Sequence, residues 1–462
     1  MKVKATTLDA YKLLHQGTLV MAEMEHNGIR VDTKYVKHIK KKIQKRIEYL
    51  TNELKQDKIY KRWKRTYGSK TKIGSRSQLA DILFNIMGMP CETKTSGGTR
   101  QSADEEALED LNIPFIKKYL QCEKLKTAKN THLAGIEREV VDGYIHPNFG
   151  LGLVRTYRGQ SDHPNFTNIP VRDPLIKKLI RRAIIPSSGN RIVDLDFKGS
   201  EVSSASWYHK DPVMIEYINN PKKDMHGDMA RQIYLLSKKQ MTSDIRYCGK
   251  NMFIFPQFYG DWWLQCARSL WKAMDRMNLK TADGMPLKRW LKKQGITKLG
   301  TGDSKRVDPR SFEAHLKEVE HDFWYNRFSV YQDWKDEWWA EYREKGYFQM
   351  LTGFVVSGYI NRKNCINYPP QGTAFHCLLW CLIRTQQLLK KYNMKTKLIG
   401  QIHDDAVSDT PDKELENYIE IATDVITRQL RKHWPWIITP MRVEVEVTPV
   451  DGSWYLKKEY KK

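Results

Sequence analysis

Two strand-like segments, VDLDF at residues 193–197 and QIHDDAV at 401–407, run apolar into carboxylates, and that conflict constrains this chain more than any other feature of its sequence. Carboxylates carried toward a core need a partner to offset their lost hydration. The chain has 78 Lys and Arg against 54 Asp and Glu, so the partner could be a protein cation, giving structural salt bridges. The alternative is a divalent cation: Mg²⁺ takes oxygen ligands and is commonly held by one or two carboxylates together with substrate phosphates. Strand alternation puts Asp194 and Asp196 on the same face, so composition alone leaves open which of them meets a metal. If Asp196 and Asp404 converge, they can hold two such ions, one lowering the pKa of an attacking hydroxyl and the other steadying a leaving pyrophosphate, which suits phosphoryl transfer.

The charge balance narrows the partners. A formal net charge of +24 must be matched by something anionic or tolerated as solvated surface, and nucleic acid is the natural match. No stretch is long or apolar enough to cross a bilayer, which points to a soluble chain with no membrane partner. Its seven cysteines, at 91, 122, 248, 266, 365, 377 and 381, are odd in number and include no CxxC pair. They fit a reduced intracellular setting better than a zinc site. The start, MKVKATTLDAYKLL, has no apolar signal core, so the expected location is the cytoplasm.

At 462 residues the chain has room for about three structural units. Val36, Ile39, Ile43, Ile47, Leu50 and Leu54 recur at helical spacing, with Asp32 or Thr33 as the N-cap. The outer face of that helix, Lys37, Lys40, Lys41, Lys42, Lys45 and Arg46, is either solvated or in contact with phosphate. KRWKRTYGSKTKIGS from Lys61 reads as loop and SQLADILFNIMG as helix, and SGGTRQS near residue 100 is Gly-rich. Residues 145 to 172 read as extended and looping, and NRIVDLDFKG from Asn190 as a strand. Segments 213–275 and 311–350 read as mainly helical, separated by a Lys-rich insertion from 280 to 310 for which a solvated extension is the expectation. A helix after Gln371, the strand pair KLIGQIHDDAVSDT, a further helix, the strand MRVEVEVTPV and a short basic tail complete the chain. In RYCGKNMFIFPQFYG, Arg246 and Lys250 share a helix face at i, i+4, where they either grip a triphosphate or are two ordinary surface cations. Pro256 lacks an amide hydrogen and crowds the carbonyl near Met252, which predicts a kink or π-bulge in this helix.

Taken in this order, the segments resemble the family A DNA polymerases, the bacterial polymerase I-like enzymes and their phage relatives. LVMAEMEHNGIRVD is similar to the lead-in of the polymerase domain, and SRSQLADILF and SADEEALEDL look like its thumb. TYRGQSDHPNFTNIPVR resembles the primer-template loop, DFKGSEV followed by Asp224 and His226 resembles motif A, and RYCGKNMFIFPQFYG resembles motif B. NYPPQGTA and QIHDDAV complete the set, and so many motifs in order make a chance match very improbable.

The resemblance implies an α+β right-hand fold: a palm on an antiparallel sheet with helical fingers and thumb. The corresponding spans are 1–32 for the lead-in, 33–130 for the thumb, 131–214 and 366–462 for the palm, and 215–365 for the fingers with their insertion. It implies template-directed addition of dNTPs to a primer 3′-hydroxyl, with two Mg²⁺ as cofactors and Mn²⁺ able to substitute. Asp196, Asp404 and the backbone carbonyl of Phe197 would hold the metal, with Asp405 and Lys250 joining them in catalysis. Arg246, Lys250, His226, Phe255, Glu201 and Tyr259 would bind the nucleotide, Glu201 as the steric gate against a ribose 2′-hydroxyl. Arg158, Asn367, Gln371 and His403 would touch the DNA minor groove, where every correct pair presents similar acceptors. The implied partners are primer-template DNA, dNTPs, and a separately encoded exonuclease or replication accessory proteins.

The chain departs from the family pattern in two places. Motif C has Asp405 where the family has a glutamate. In motif B the aromatic match, Phe255, lies five residues after Lys250 instead of four, with Ile254 as the rival assignment; phenylalanine there goes with poor use of dideoxynucleotides. Because the polymerase pattern begins within the first tens of residues, the expectation is a chain without a proofreading nuclease, more like a phage enzyme than a cellular one. A single-subunit RNA polymerase shares similar motifs, but Glu201 argues against it.

Overall fold

A five-stranded antiparallel sheet organises the molecule: β1 (Asn190–Lys198), β2 (Lys397–Ile402), β3 (Asp405–Pro411), β4 (Arg442–Val447) and β5 (Lys458–Glu459), in the spatial order β5-β4-β1-β3-β2. The computed structural model describes residues 5–91, 103–169 and 173–461. The SGGTRQS stretch and the last three residues of TYRGQSDHPNFTNIPVR therefore lie outside the described residues. Strand β1 is central because Ile192, Val193, Leu195 and Phe197 are all buried, and β-branched and aromatic side chains suit a pleated, covered surface. Register then sets the chemistry: Asp196 stands opposite Asp405 on one side and Glu444 on the other.

The helix Thr33–Gln56 forms as its spacing predicts, and its six periodic residues are buried. Asp32 is the cap, accepting from the Tyr35 amide at 2.8 Å. The loop expected from Lys61 is instead largely helix, Lys58–Tyr67. Asp57 caps it by accepting from the Ile59 amide at 2.8 Å, and Ile59 and Trp63, one turn apart, are buried. Flanking cations mask that apolar pair in the sequence.

A second correction concerns the helix expected to follow Gln371. It begins nine residues earlier, running Arg362–Lys391 from an Asn361 cap, with Pro369 and Pro370 inside it. Proline at 369 cannot donate to the carbonyl four residues back. That carbonyl, of Cys365, accepts from Trp338 Nε1 at 3.2 Å instead, so the break that the prolines suggest does not occur. This helix and Thr7–Asn27 pack on each other, and both touch the sheet. Gly372 permits a close approach, since a Cβ there would lie 2.6 Å from the Thr156 carbonyl oxygen.

Two apolar cores result. The larger joins the sheet, the N-terminal helices and the residues from Tyr342 onward. The smaller runs from Ala205 to Tyr331 and is made mainly of helices, among them Met225–Tyr234, Ser243–Gly249, Trp263–Arg276, Phe312–His321 and Ser329–Lys345. Leu287, Leu291 and Ile296 belong to this second core, so the insertion is anchored by apolar side chains and is not simply the solvated extension expected. Among the described residues no helix is long and apolar enough to cross a membrane.

Candidate active site

The two cores face each other across a cavity of about 830 Å³. Its sheet wall starts at the β2–β3 hairpin. Ile402 pairs with Asp405, so the turn is only His403 and Asp404, and His403 takes a positive φ of 55°. A two-residue turn of this kind matches the strand twist and puts its side chains at the tip. The Phe197 amide donates to the Asp404 carbonyl at 3.4 Å, tying the turn to the end of β1. The Ser200 hydroxyl donates to Asp404 Oδ2 at 2.7 Å. Carboxylate oxygens of Asp196, Asp404 and Asp405 all lie within 4.8 Å of one another.

No Lys or Arg among the described residues forms an ion pair with these three carboxylates. Burial, and then the neighbouring Asp404 charge, pushes Asp196 up to about 6. Burial followed by the charges of Asp194, Asp196 and Asp404 pushes Asp405 up to about 9. Both shifts come first from burial and then from neighbouring carboxylates, with Lys457 offsetting part of the rise at Asp405. An all-oxygen donor set with excess negative charge fits a hard divalent cation.

Asp194 and Asp196, which strand alternation places on one face, have different surroundings. Asp194 is 2% exposed, is ion-paired with Lys457, and accepts from Trp454 Nε1 at 3.1 Å. Lys457 also pairs with Glu446 at 2.6 Å. Of two aspartates on one strand face, Asp194 is neutralised by the protein and Asp196 is not. Neither Lys457 nor Ser200 stood out in the sequence: one is a cation in a basic tail, the other a serine among several.

The helical wall opposes this with positive charge. Helix Ser243–Gly249 passes into a π turn, Lys250–Ile254, in which the Phe255 amide donates to the Lys250 carbonyl five residues back. The distortion expected ahead of Pro256 is therefore present. It turns Ile254 fully inward and leaves Phe255 lining the cavity, with Lys250 Nζ 5.1 Å from its ring centre. Arg246 is held by Asp224 through two bonds, at 2.7 and 2.8 Å, and its guanidinium also lies 3.3 Å from His226 Nδ1. Burial first, then Lys250 and Arg246, holds His226 down at about 4, so its ring is neutral near pH 7.

Between the walls sits Glu201, on the helix that follows β1. It accepts from the Tyr259 hydroxyl and lies 3.4 Å from Arg158. Asn367 Nδ2 donates to the Tyr259 carbonyl at 3.4 Å. Arg158, Glu201, His226, Arg246, Lys250, Phe255, Tyr259, Asn367, Gln371, His403 and Asp404 all line the one cavity, although they are drawn from some 250 residues of chain. Asp196 and Asp405 stand just beneath it, through their contact with Asp404.

The model of DNA polymerase family A matches residues 33–280 and 317–454. This chain belongs to DNA polymerase family A. Curated members similar to it include DNA polymerase I of Lactococcus lactis strain IL1403, 24% identical over 454 residues, which are 95% of this chain and 45% of that protein. DNA polymerase I of Bacillus subtilis is 25% identical over 455 residues, 95% of this chain and 44% of that one. The thermostable DNA polymerase I of Thermus aquaticus is 24% identical, over 95% and 47%. The chain thus spans a little under half the length of these relatives. The fold is also that of the solved POL domain of Pol1 from M. smegmatis in complex with DNA primer-template and dNTP, with a TM-score of 0.74 and 21% identity over 96% of this chain and 70% of that one. The right-hand α+β fold of family A is therefore the fold of this chain, its antiparallel sheet carrying the carboxylates. Residues 281–316, which include all of the insertion but Lys280, fall outside the family match.

Proposed function

We propose that this family A chain performs template-directed DNA synthesis, adding dNTPs to a primer 3′-hydroxyl, with primer-template DNA as its partner. The observation that carries the reading is the pairing of walls in one cavity: an uncompensated carboxylate cluster faces Arg246 and Lys250. Each wall suits one part of a metal-bound triphosphate. In this reading the thumb spans 33–130, the palm 131–214 and 366–462, and the fingers 215–365, with 1–32 leading in.

Asp196, Asp404 and the Phe197 carbonyl would hold two Mg²⁺, or Mn²⁺ in their place, with Asp405 beside them. The metal would supply Lewis-acid activation of the hydroxyl and charge neutralisation at the leaving pyrophosphate. Arg246 and Lys250 would hold the triphosphate by charge-assisted bonds, and Lys250 would give the departing pyrophosphate its proton. Neutral His226 adds a hydrogen-bonding ring without adding charge. Phe255 would stack on the incoming base, Tyr259 would stand on the template side, and Glu201 would exclude a 2′-hydroxyl. Arg158, Asn367, Gln371 and His403 would test pair shape from the minor groove without reading sequence. The same reading takes the KNMFIFPQFYG variant as phage-type, working in phage DNA replication in the host cytoplasm.

The test is extension of a labelled primer-template with Mg²⁺, supplying dNTPs or NTPs, alongside Asp404→Ala. Extension with dNTPs alone, abolished in the variant, is the expected result. No extension under any condition, despite tight and salt-sensitive duplex binding, would overturn the reading in favour of a fold that binds DNA without catalysis.

A further inference from the structure

The insertion that the family match leaves out is firmly built onto the second core. Leu287 and Leu291 are buried on one side of the helix Leu287–Lys293, and Trp290 Nε1 donates to the Tyr234 carbonyl at 3.1 Å. The Ala282 amide donates to the Gln240 carbonyl at 3.0 Å, which pins the insertion beside the short turn Lys238–Gln240. Lys238 and Gln294 line the same surface groove, so the turn and the end of the inserted helix are neighbours.

The outward face of this assembly is cationic. Residues 280–310 contain nine Lys and Arg against three Asp. Lys288 is paired with Asp275 and Lys298 with Asp308. Lys238, Lys239, Lys280, Arg289, Lys292 and Lys293 are exposed, and none forms an ion pair with another described residue. Like charges crowded on one surface repel, and folding gains nothing from leaving them without carboxylates. A polyanion that releases its counterions on binding turns that repulsion into affinity.

We propose that the insertion and its adjoining turn form a phosphate-binding surface for the unpaired template strand before it reaches the cavity. The inference rests on the polymerase reading above. The core that anchors the insertion also carries Arg246, Lys250 and Phe255, the wall assigned to the incoming nucleotide. The strand still to be copied must pass that wall, and a flexible single strand can follow a cationic ridge without a shaped groove.

The experiment compares the wild-type chain with an Arg289→Gln/Lys292→Gln/Lys293→Gln variant, whose three substitutions are all at exposed positions. Equilibrium binding is measured on primer-templates with a short template overhang and with a long one, across salt from roughly 50 to 200 mM. The expected result is that wild type prefers the long overhang by ~10-fold and the variant loses this preference, its salt slope on that substrate falling by about 2, near 0.7 per lost single-strand phosphate contact. Short-overhang affinity and the rate of single-nucleotide addition stay unchanged. Equal weakening on both substrates would overturn the proposal in favour of a product-duplex contact, and unchanged binding on both would overturn it in favour of plain solvated surface. Failure of the wild-type chain to extend any primer would instead sink the polymerase reading, whereas failure of the variant alone would overturn only the insertion proposal.

Discussion

On the sheet side of the cavity three carboxylates stand without a protein cation, whereas on the helical side Arg246 is already gripped by Asp224 and Lys250 lies over the Phe255 ring. The β-ladder holds Asp196 against Asp405 by register, so their repulsion is relieved by bound protons, or would be by a cation from outside. The cations of the helical wall have partners within the protein, which an incoming phosphate would have to displace. The sheet contains its own control in Asp194, two residues from Asp196 and balanced by Lys457. The two aspartates share a strand face but differ in surroundings: Asp194 is buried and paired with Lys457, whereas Asp196 is half-buried and forms no ion pair with a described residue.

The sharpest way to break this contrast is Asp404→Ala. Loss of the carboxylate at the hairpin tip is expected to slow single-turnover dNTP addition by roughly 10,000-fold, about 5 kcal/mol of transition-state stabilisation, while the apo protein unfolds no more readily. A modest loss would mean the cluster is not the metal site.

Lys457→Met should do the opposite. It strands Asp194 as a buried charge and is expected to cost about 3–5 kcal/mol in urea unfolding, with dNTP addition by the surviving folded fraction far less affected than in Asp404→Ala. Equal stability would show that Asp194 does not depend on its lysine.

On the helical wall, the π turn predicts a split between neighbours. Ile254→Ala should lower stability by about 2–5 kcal/mol through a core cavity. Phe255→Ala should leave stability nearly intact and raise the KM for dNTP by roughly 10- to 100-fold, the worth of a base–aromatic stack of about 1–3 kcal/mol. The reverse pattern would favour the rival assignment, Ile254, as the stacking residue.

Titration of the metal-free protein sharpens the sheet side. Asp196 and Asp405 are held above the ordinary carboxylate range, at about 6 and about 9, so the folded state binds more protons than the unfolded state between about pH 4 and 9. Stability then falls as pH rises through that window. In chelator, Tm is expected to drop steadily from pH 5 to 9, and Mg²⁺ is expected to restore more of it at the higher pH. A flat profile would mean the carboxylates are compensated after all. The smallest effect is expected for Trp338→Phe, which leaves the Cys365 carbonyl without its donor at a cost of about 1–3 kcal/mol, read by thermal unfolding.

Much of the site was legible because its chemistry is written in short segments. VDLDF, QIHDDAV and RYCGKNMFIFPQFYG each announce a local structure: apolar strands that end in acid, and a helix that must distort ahead of Pro256. The helix Thr33–Gln56 was legible for the same reason, its apolar period being intact. Lys58–Tyr67 was not, because its buried face amounts to Ile59 and Trp63 among cations. The helix through Pro369 and Pro370 was hidden for a different reason: the donor that replaces the one missing at Pro369 is Trp338, on another helix.

The sequence by itself determined which residues can carry charge into a core, where the strands and the distorted helix lie, and the family to which they belong. Only the tertiary structure decided that Asp194 is neutralised and Asp196 left bare, that Phe255 and not Ile254 faces the cavity, and that the basic insertion is anchored beside Lys238–Gln240. The physical reason is that periodicity and hydrogen-bond donors act over a few residues of chain. The balance of a buried charge depends instead on which distant side chain, such as Lys457, folding brings within bonding distance.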